Sequence, residues 1–242
     1  GTSSINVLFE EKTDEKNYCP AFGSRYIKNV KNCESPQWLK DKLNSIGLKP
    51  ISALVDVTNY ILFDFNRPLH VYDADKVSGN IIIRSAKKDE KFLGLDDKEY
   101  TLDKGMCVIA DEKKPLGLGG ILGGSSSACD MATTNILLES ALFIPSNIAN
   151  TGRKLFIDSD ARYRFERGVD PNSLNIGLDR AASLIQEICG GEISETQICG
   201  TVIKSEQDIS FDLVKNTNRL GVEIDQSEIC LLYTSPSPRD PE

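Results

Sequence analysis

A run of short strands between residues 80 and 111, with helical patterns on either side, limits this chain's fold more than any other feature. NIIIRSA (80–86), EKFLGL (90–95), KEYTL (98–102) and CVIAD (107–111) are brief apolar or alternating runs of strand length. The Asp96-Asp97 step reads as the turn between the second and third. RYIKNV (25–30) alternates in the same way. Before these strands, SPQWLKDKLNSIGLKP predicts a helix, with Ser35 as N-cap, Pro36 at the first helical position and Gly47 as the stop. Trp38, Leu39, Leu43 and Ile46 would form its buried face. After them, PNSLNIGLDRAASLIQEICGG predicts a second helix, capped by Asp170 and Pro171, ended by Gly190-Gly191, and packed through Leu174, Leu178, Ala181, Ala182, Ile185 and Ile188. Helices flank the strands rather than alternate with them. The expected class is therefore α+β, a mixed or antiparallel sheet with packed helices.

Four stretches set chemistry inside this frame. NRPLHVYD (66–73) holds His70, the single histidine of 242 residues and the one side chain whose ordinary pKa lies near neutrality. Such a residue is either a proton handler and orienting donor or a satisfied, half-buried side chain. ISALVDVTNYILFDF sets Asp56 and Asn59 in an apolar run, where each needs a hydrogen-bond partner or the edge of a cavity. KPLGLGGILGG (114–124) carries the pairs Gly119-Gly120 and Gly123-Gly124, with Gly117 before them. It is neither GxGxxG opening a helix nor a Walker loop, so a strand pair at a pocket wall fits better than a phosphate cradle, and a plain glycine bend fits too. NILLESALF (135–143) places Glu139 among leucines, where a carboxylate needs an ion-pair partner or a ligand. DSDARYRFERGVDP (158–171) mixes Arg162, Arg164 and Arg167 with Asp158, Asp160, Glu166 and Asp170, the pattern of an internal ion-pair network.

Composition bounds the rest. Hydrophobic residues make up 40% and charged residues 26%, as in ordinary globular proteins. No apolar run reaches the roughly 18 residues of a membrane span, and no signal-peptide pattern opens the chain, which begins GTSSINV without a methionine and reads as a piece of something longer. Seven cysteines, odd in number and without CxxC spacing, argue against a disulfide framework and a zinc site and for a reducing compartment. A net charge of −8 argues against a general nucleic-acid binder, so any RNA contact is either local and geometric or dependent on parts of the molecule outside this chain. Residues 1–16 carry no motif and are read as the end of a preceding region, 17–200 as the main domain, 201–231 as a strand, a helix and the start of another element of a following domain, and 232–242, Ser/Pro-rich and aperiodic, as a disordered or foreign tail.

The order SPQWL, GLKP, VDVTNY, RPLHVYD, GLGGILGG, LLESALF, RFERGVDP resembles the β subunit of bacterial phenylalanyl-tRNA synthetase over roughly residues 17–200. The resemblance implies an α+β editing domain that hydrolyses tyrosine wrongly esterified to the tRNA for phenylalanine. It implies His70, Asn59 and Glu139 as catalytic residues, and Pro68, Gly119, Gly120, Glu139, Ser159 and Ala161 as substrate-binding ones, with no metal. It further implies a cytoplasmic α2β2 heterotetramer with the synthetase α subunit, tRNA(Phe) and mischarged tyrosine as partners, and no membrane association. Cofactors are expected for the whole synthetase alone, as ATP and Mg²⁺, and not for this region. Three departures from the commoner pattern stand out: HVYD for HAFD, Gly119 where some members carry Ala, and Ser159 where Thr is frequent. The first two look harmless, and the third would loosen a pocket wall slightly.

The residues suit that activity. A hydroxyl separates tyrosine from phenylalanine, and a second site that recognises it amplifies discrimination. Glu139 would accept that hydroxyl, and phenylalanine would leave it unpaired at a cost of about 1–3 kcal/mol. Gly119 and Gly120 would leave room for the ring, while His70 and Asn59 orient ester and water. With no Ser-His-Asp arrangement or metal cluster in the sequence, hydrolysis by an oriented water is expected. The alternatives are a structural, tRNA-docking module with an inactive pocket, a free-standing editing hydrolase, and a non-catalytic sugar- or nucleotide-binding domain.

Overall fold

The computed structural model describes residues 3–10, 18–202 and 210–234. In chain order these form β1 (Val7–Phe9), β2 (Ala21–Lys28), α1 (Gln37–Ser45), α2 (Ala53–Asp64), β3 (His70–Asp73), β4 (Ile81–Ser85), β5 (Glu90–Leu93), β6 (Glu99–Leu102), β7 (Cys107–Ala110), β8 (Pro115–Leu118), β9 (Leu122–Gly123), β10 (Ile136–Leu142), α3 (Pro145–Leu155), α4 (Asp160–Phe165), α5 (Ser173–Cys189), β11 (Glu192–Ile193), β12 (Gln197–Gly200), α6 (Leu213–Leu220) and α7 (Gln226–Thr234). The chain divides into two compact units, residues 1–204 and 205–242.

The first unit is α+β, as expected. One sheet has the order β1-β4-β7-β8-β9, parallel only between β1 and β4. The other runs β11-β2-β10-β3, with β12 also on β2, and is antiparallel throughout. β5 and β6 form a separate hairpin over the Asp96-Asp97 turn, where Asp97 takes φ 61°.

Two cores follow from the period-2 alternation of β10. Leu137 and Ala141 join Tyr72, Ile109 and Leu118 in a cluster shared by both sheets. Ile136, Leu138 and Leu142 join Leu54, Val57, Leu178 and Ile185 of α2 and α5 in the other. All seven positions of β10 are buried, so this strand lies between two apolar layers. Its register sets Glu139 opposite Ser24 of β2 and His70 of β3.

Some local expectations are corrected. Ser35 does not cap α1; Pro36 holds the cap position, and the Ser35 hydroxyl donates to Asp56 Oδ2 at 2.6 Å. With Ile51 N–H on Oδ1 at 2.9 Å, this satisfies the fully buried Asp56. The α1 face narrows to Leu39 and Leu43, because Trp38 sits 40% exposed, edge-on to Tyr60, and Ile46 is 50% exposed. At α5 the cap residue is Asn172, and Asp170 instead accepts its N–H at 2.9 Å. The arginine-rich stretch forms ion pairs on and just beyond α4: Arg162 with Glu166, Arg164 with Asp160, and Arg167 with Glu166.

In the second unit, Asp212 caps α6 by accepting from Lys215 N–H at 3.0 Å, and Gly221 ends it with φ +68°. The strand expected before it is irregular over 210–212, and its first residues lie outside the described ones. α7 continues to Thr234, into the stretch expected to be tail; 235–242 lie outside the described residues.

Leu138 is fully buried at the middle of β10. Leu138→Ala should lower stability by about 2–5 kcal/mol in urea unfolding, with m unchanged.

Candidate functional site

Between the two sheets lies a cavity with about 430 Å³ of space, its open mouth included, within the roughly 300–1,000 Å³ usual for small-molecule sites. Pro68, Leu69, His70 and Tyr72 form one wall, residues 117–123 another, and Ala161 and Phe165 of α4 a third; Glu139 reaches in from β10.

Glu139 is 7% exposed. Burial raises its carboxyl to about 7, against the hydrogen bond from Tyr72 and the charge of Arg67, which pull it down. The Tyr72 hydroxyl donates to Glu139 Oε2. Arg67 is fully buried. Its Nε donates to Ser140 Oγ at 2.9 Å and its Nη2 to the Ala141 carbonyl at 2.6 Å, while Nη1 has no partner among the described residues. The reason lies in the register: two residues beyond the Glu139–His70 pair, Pro68 would face Ala141 and has no N–H to give. The guanidinium takes the missing donor's place, and burial lowers it only to about 10, so it stays charged at neutral pH.

His70 begins β3, with its ring edge-on to Tyr72 at 4.5 Å between centroids. Its Nε2 is buried and unpartnered among the described residues, and burial lowers the imidazole to about 4. It is neutral at physiological pH. Gly123 packs against it: a Cβ there would stand 2.3 Å from His70 Cε1.

The glycine pair faces the cavity by its backbone. A Cβ on Gly119 would lie 2.8 Å from Phe143 and 3.0 Å from Cys107 Sγ, and one on Gly120 2.7 Å from Phe143. The space freed by missing side chains is therefore taken by the core, not by a ligand ring. Gly120 also has φ +68°, which favours glycine.

Of the residues singled out in the sequence, His70, Glu139, Pro68, Gly117, Gly119, Gly120, Gly123 and Ala161 meet around the cavity. Ser159 does not line it. Its hydroxyl accepts from Arg162 N–H at 3.1 Å and donates to the Ile121 carbonyl at 2.7 Å, capping α4 and tying it to the glycine turn. Asn59 also stays away from the lining; it is half-buried on α2, whose apolar face joins the core on the far side of the sheet. Tyr72 and Arg67 were missed. Alternation along HVYD puts residues 70 and 72 on one face and was the available signal for Tyr72. Among the described residues no group of three or more His, Cys, Asp or Glu is placed to hold a metal ion.

The α+β scaffold brings a buried carboxylate and a neutral histidine to one cavity, and comparison with known proteins gives the class. A profile of the B3/4 domain matches residues 18–190, and the chain belongs to that family. More particularly, it is 52% identical over 226 residues to the phenylalanine–tRNA ligase β subunit of Paramagnetospirillum magneticum, covering 92% of this chain and 28% of that protein. It is 49% identical over 225 residues to that of Rhodopseudomonas palustris, covering 93% and 28%. The resemblance read from the motifs thus holds across nearly the whole chain, which spans about 28% of the length of these relatives. In fold it is similar to an N-terminal fragment of the phenylalanyl-tRNA synthetase β subunit from Pyrococcus horikoshii, with a TM-score of 0.52, 16% identity, and coverage of 96% of this chain and 64% of that one.

Glu139 and His70, two buried groups of the cavity, act on stability with opposite signs. Glu139, raised from 4.5 to about 7, binds its proton more tightly in the folded state, so its contribution is full below 4.5 and is lost as pH rises through 7. His70, lowered from 6.5 to about 4, favours the folded state above 6.5 and loses that as pH falls toward 4. Between about 4.5 and 6.5 the slopes oppose each other. Glu139→Gln should unmask the histidine, so that stability climbs with pH across this window by up to about 1.4 kcal/mol per unit. Urea midpoints measured against pH would reveal the tilt, and curves parallel to wild type would refute it.

Proposed function

We propose that residues 17–200 form the editing module of a phenylalanine–tRNA ligase β subunit, and that the cavity hydrolyses tyrosine mischarged onto tRNA(Phe). The observation that carries this reading is a buried carboxylate, hydrogen-bonded by the Tyr72 phenol, at the wall of a cavity otherwise lined by apolar side chains, glycine backbone and one neutral imidazole. An aromatic amino-acid side chain fits such walls, and its hydroxyl finds an acceptor in Glu139. Phenylalanine offers no donor, and the mismatch is felt most where solvent is excluded.

His70 contributes position rather than proton affinity. An imidazole held near 4 is a weak base at neutral pH, but its buried, unpartnered Nε2 can hold one hydrogen bond to the attacking water or the ester. Gly123 fixes the ring by close contact, and positioning of this kind carries much of a hydrolytic rate enhancement. Asn59, on α2, takes no direct part in this mechanism.

In the whole protein the module would work with an α subunit in a cytoplasmic α2β2 assembly. ATP and Mg²⁺ would serve aminoacylation outside this region, tRNA(Phe) would deliver the ester, and residues 201–231 would open the next domain.

The decisive assay is deacylation of Tyr-tRNA(Phe) by an α–β pair carrying this sequence, beside Phe-tRNA(Phe). Wild type should clear the tyrosyl ester and spare the phenylalanyl one. Glu139→Ala should lose at least about tenfold of that preference, and His70→Ala should slow hydrolysis about 10²-fold. Wild type no faster than buffer, with aminoacylation normal, would favour an inactive, tRNA-docking pocket instead.

A further inference from the structure

Tyr72 looks harmless in the sequence, yet it makes the one side-chain hydrogen bond described for Glu139. The residue is 1% exposed and lies on the cavity face of β3 beside His70. Its hydroxyl lies opposite Gly117, where an added Cβ would stand 3.6 Å away, an ordinary contact. The bond goes to Oε2. An ionised carboxylate has two acceptor oxygens, and Glu139 lines the cavity, so the remaining oxygen can take a second donor.

We propose that Tyr72 is a specificity-determining residue: its phenol claims one oxygen of Glu139 and fixes the carboxylate plane, leaving the other oxygen as the single acceptor for a phenolic hydroxyl brought in by the ligand. This rests on the reading of the cavity as a site for a tyrosyl group. Two phenols would then share one carboxylate, one resident and one arriving. The resident phenol prevents the carboxylate from rotating to satisfy itself elsewhere when the cavity is empty.

The other groups facing Glu139 leave this role to Tyr72. Cys107 from β7 and Cys19 ahead of β2 are both held protonated by burial. His70 is neutral. Arg67 acts by charge and spends its described hydrogen bonds on Ser140 and Ala141. Tyr72 is the donor that stabilises the charged form of Glu139 directly. Without it the carboxyl protonates more readily, and its bond to a ligand hydroxyl loses charge assistance, about half its strength.

The test uses Tyr72→Phe, which keeps the ring, in the full 242-residue chain. Carbon-13 NMR of the Glu139 carboxyl, identified by its loss in Glu139→Gln, would follow the titration. Calorimetry with free L-tyrosine and L-phenylalanine would measure preference without requiring hydrolysis. The expected result is a wild-type midpoint near 7 that moves up by about one unit in Tyr72→Phe, with the preference for L-tyrosine at neutral pH falling about fivefold. An unmoved midpoint, or a moved midpoint with unchanged preference, would overturn the proposal. L-tyrosine binding and the shift without any Tyr-tRNA hydrolysis by the α–β pair would sink the hydrolase reading and leave the role of Tyr72 standing.

Discussion

A carboxylate in the middle of a strand buried along its whole length governs this structure. β10 lies between two apolar layers, and an isolated charge there would cost several kcal/mol. The protein offsets that cost with a donor on one side of the strand and a cation beyond it. Tyr72 supplies the hydrogen bond, and Arg67 supplies charge without forming an ion pair among the described residues. The outcome is a carboxyl balanced near neutrality rather than one locked in either form. Groups tuned this way cluster at sites that recognise or transform a ligand.

Much of this was legible in the sequence, and what was lost was lost for physical reasons. The strands between 80 and 111 and the helix after Pro171 follow from local periodicity, and they appear where the pattern put them. Glu139 announced itself as a charge among leucines. Arg67 did not, because its role depends on a ladder that fails at Pro68, and that is known only once β3 and β10 are paired. Asn59 is placed elsewhere: it sits in an apolar run that reads as a cavity edge, but the run is helical and turns its apolar face to the second core, and Asn59 lies outside the cavity lining. Ser35 is a good cap by composition, and Asp56 outcompetes the helix end for its hydroxyl.

Glycine is also easily misread in one dimension. Gly119 and Gly120 suggest space kept for a ligand, whereas Phe143, Cys107 and Ile148 fill the space behind them. What the cavity gains is a wall of bare backbone, thin enough for the core to press close behind it. Ser159 supports that wall through the Ile121 carbonyl, which makes its hydroxyl architectural.

The substitution of a guanidinium for a backbone amide at Ala141 bears on how the molecule behaves in a crowded solution. β3 pairs with β10 only as far as the His70–Glu139 position, and a strand edge left with free amides and carbonyls is a template for another chain to pair with. Here the ladder stops at a proline, and the first carbonyl that would be left open is already held by Arg67 at 2.6 Å. A second chain could pair with β10 at this point only by displacing a buried cation. The same side chain that supplies charge beside the cavity thus also closes β10 where β3 leaves it.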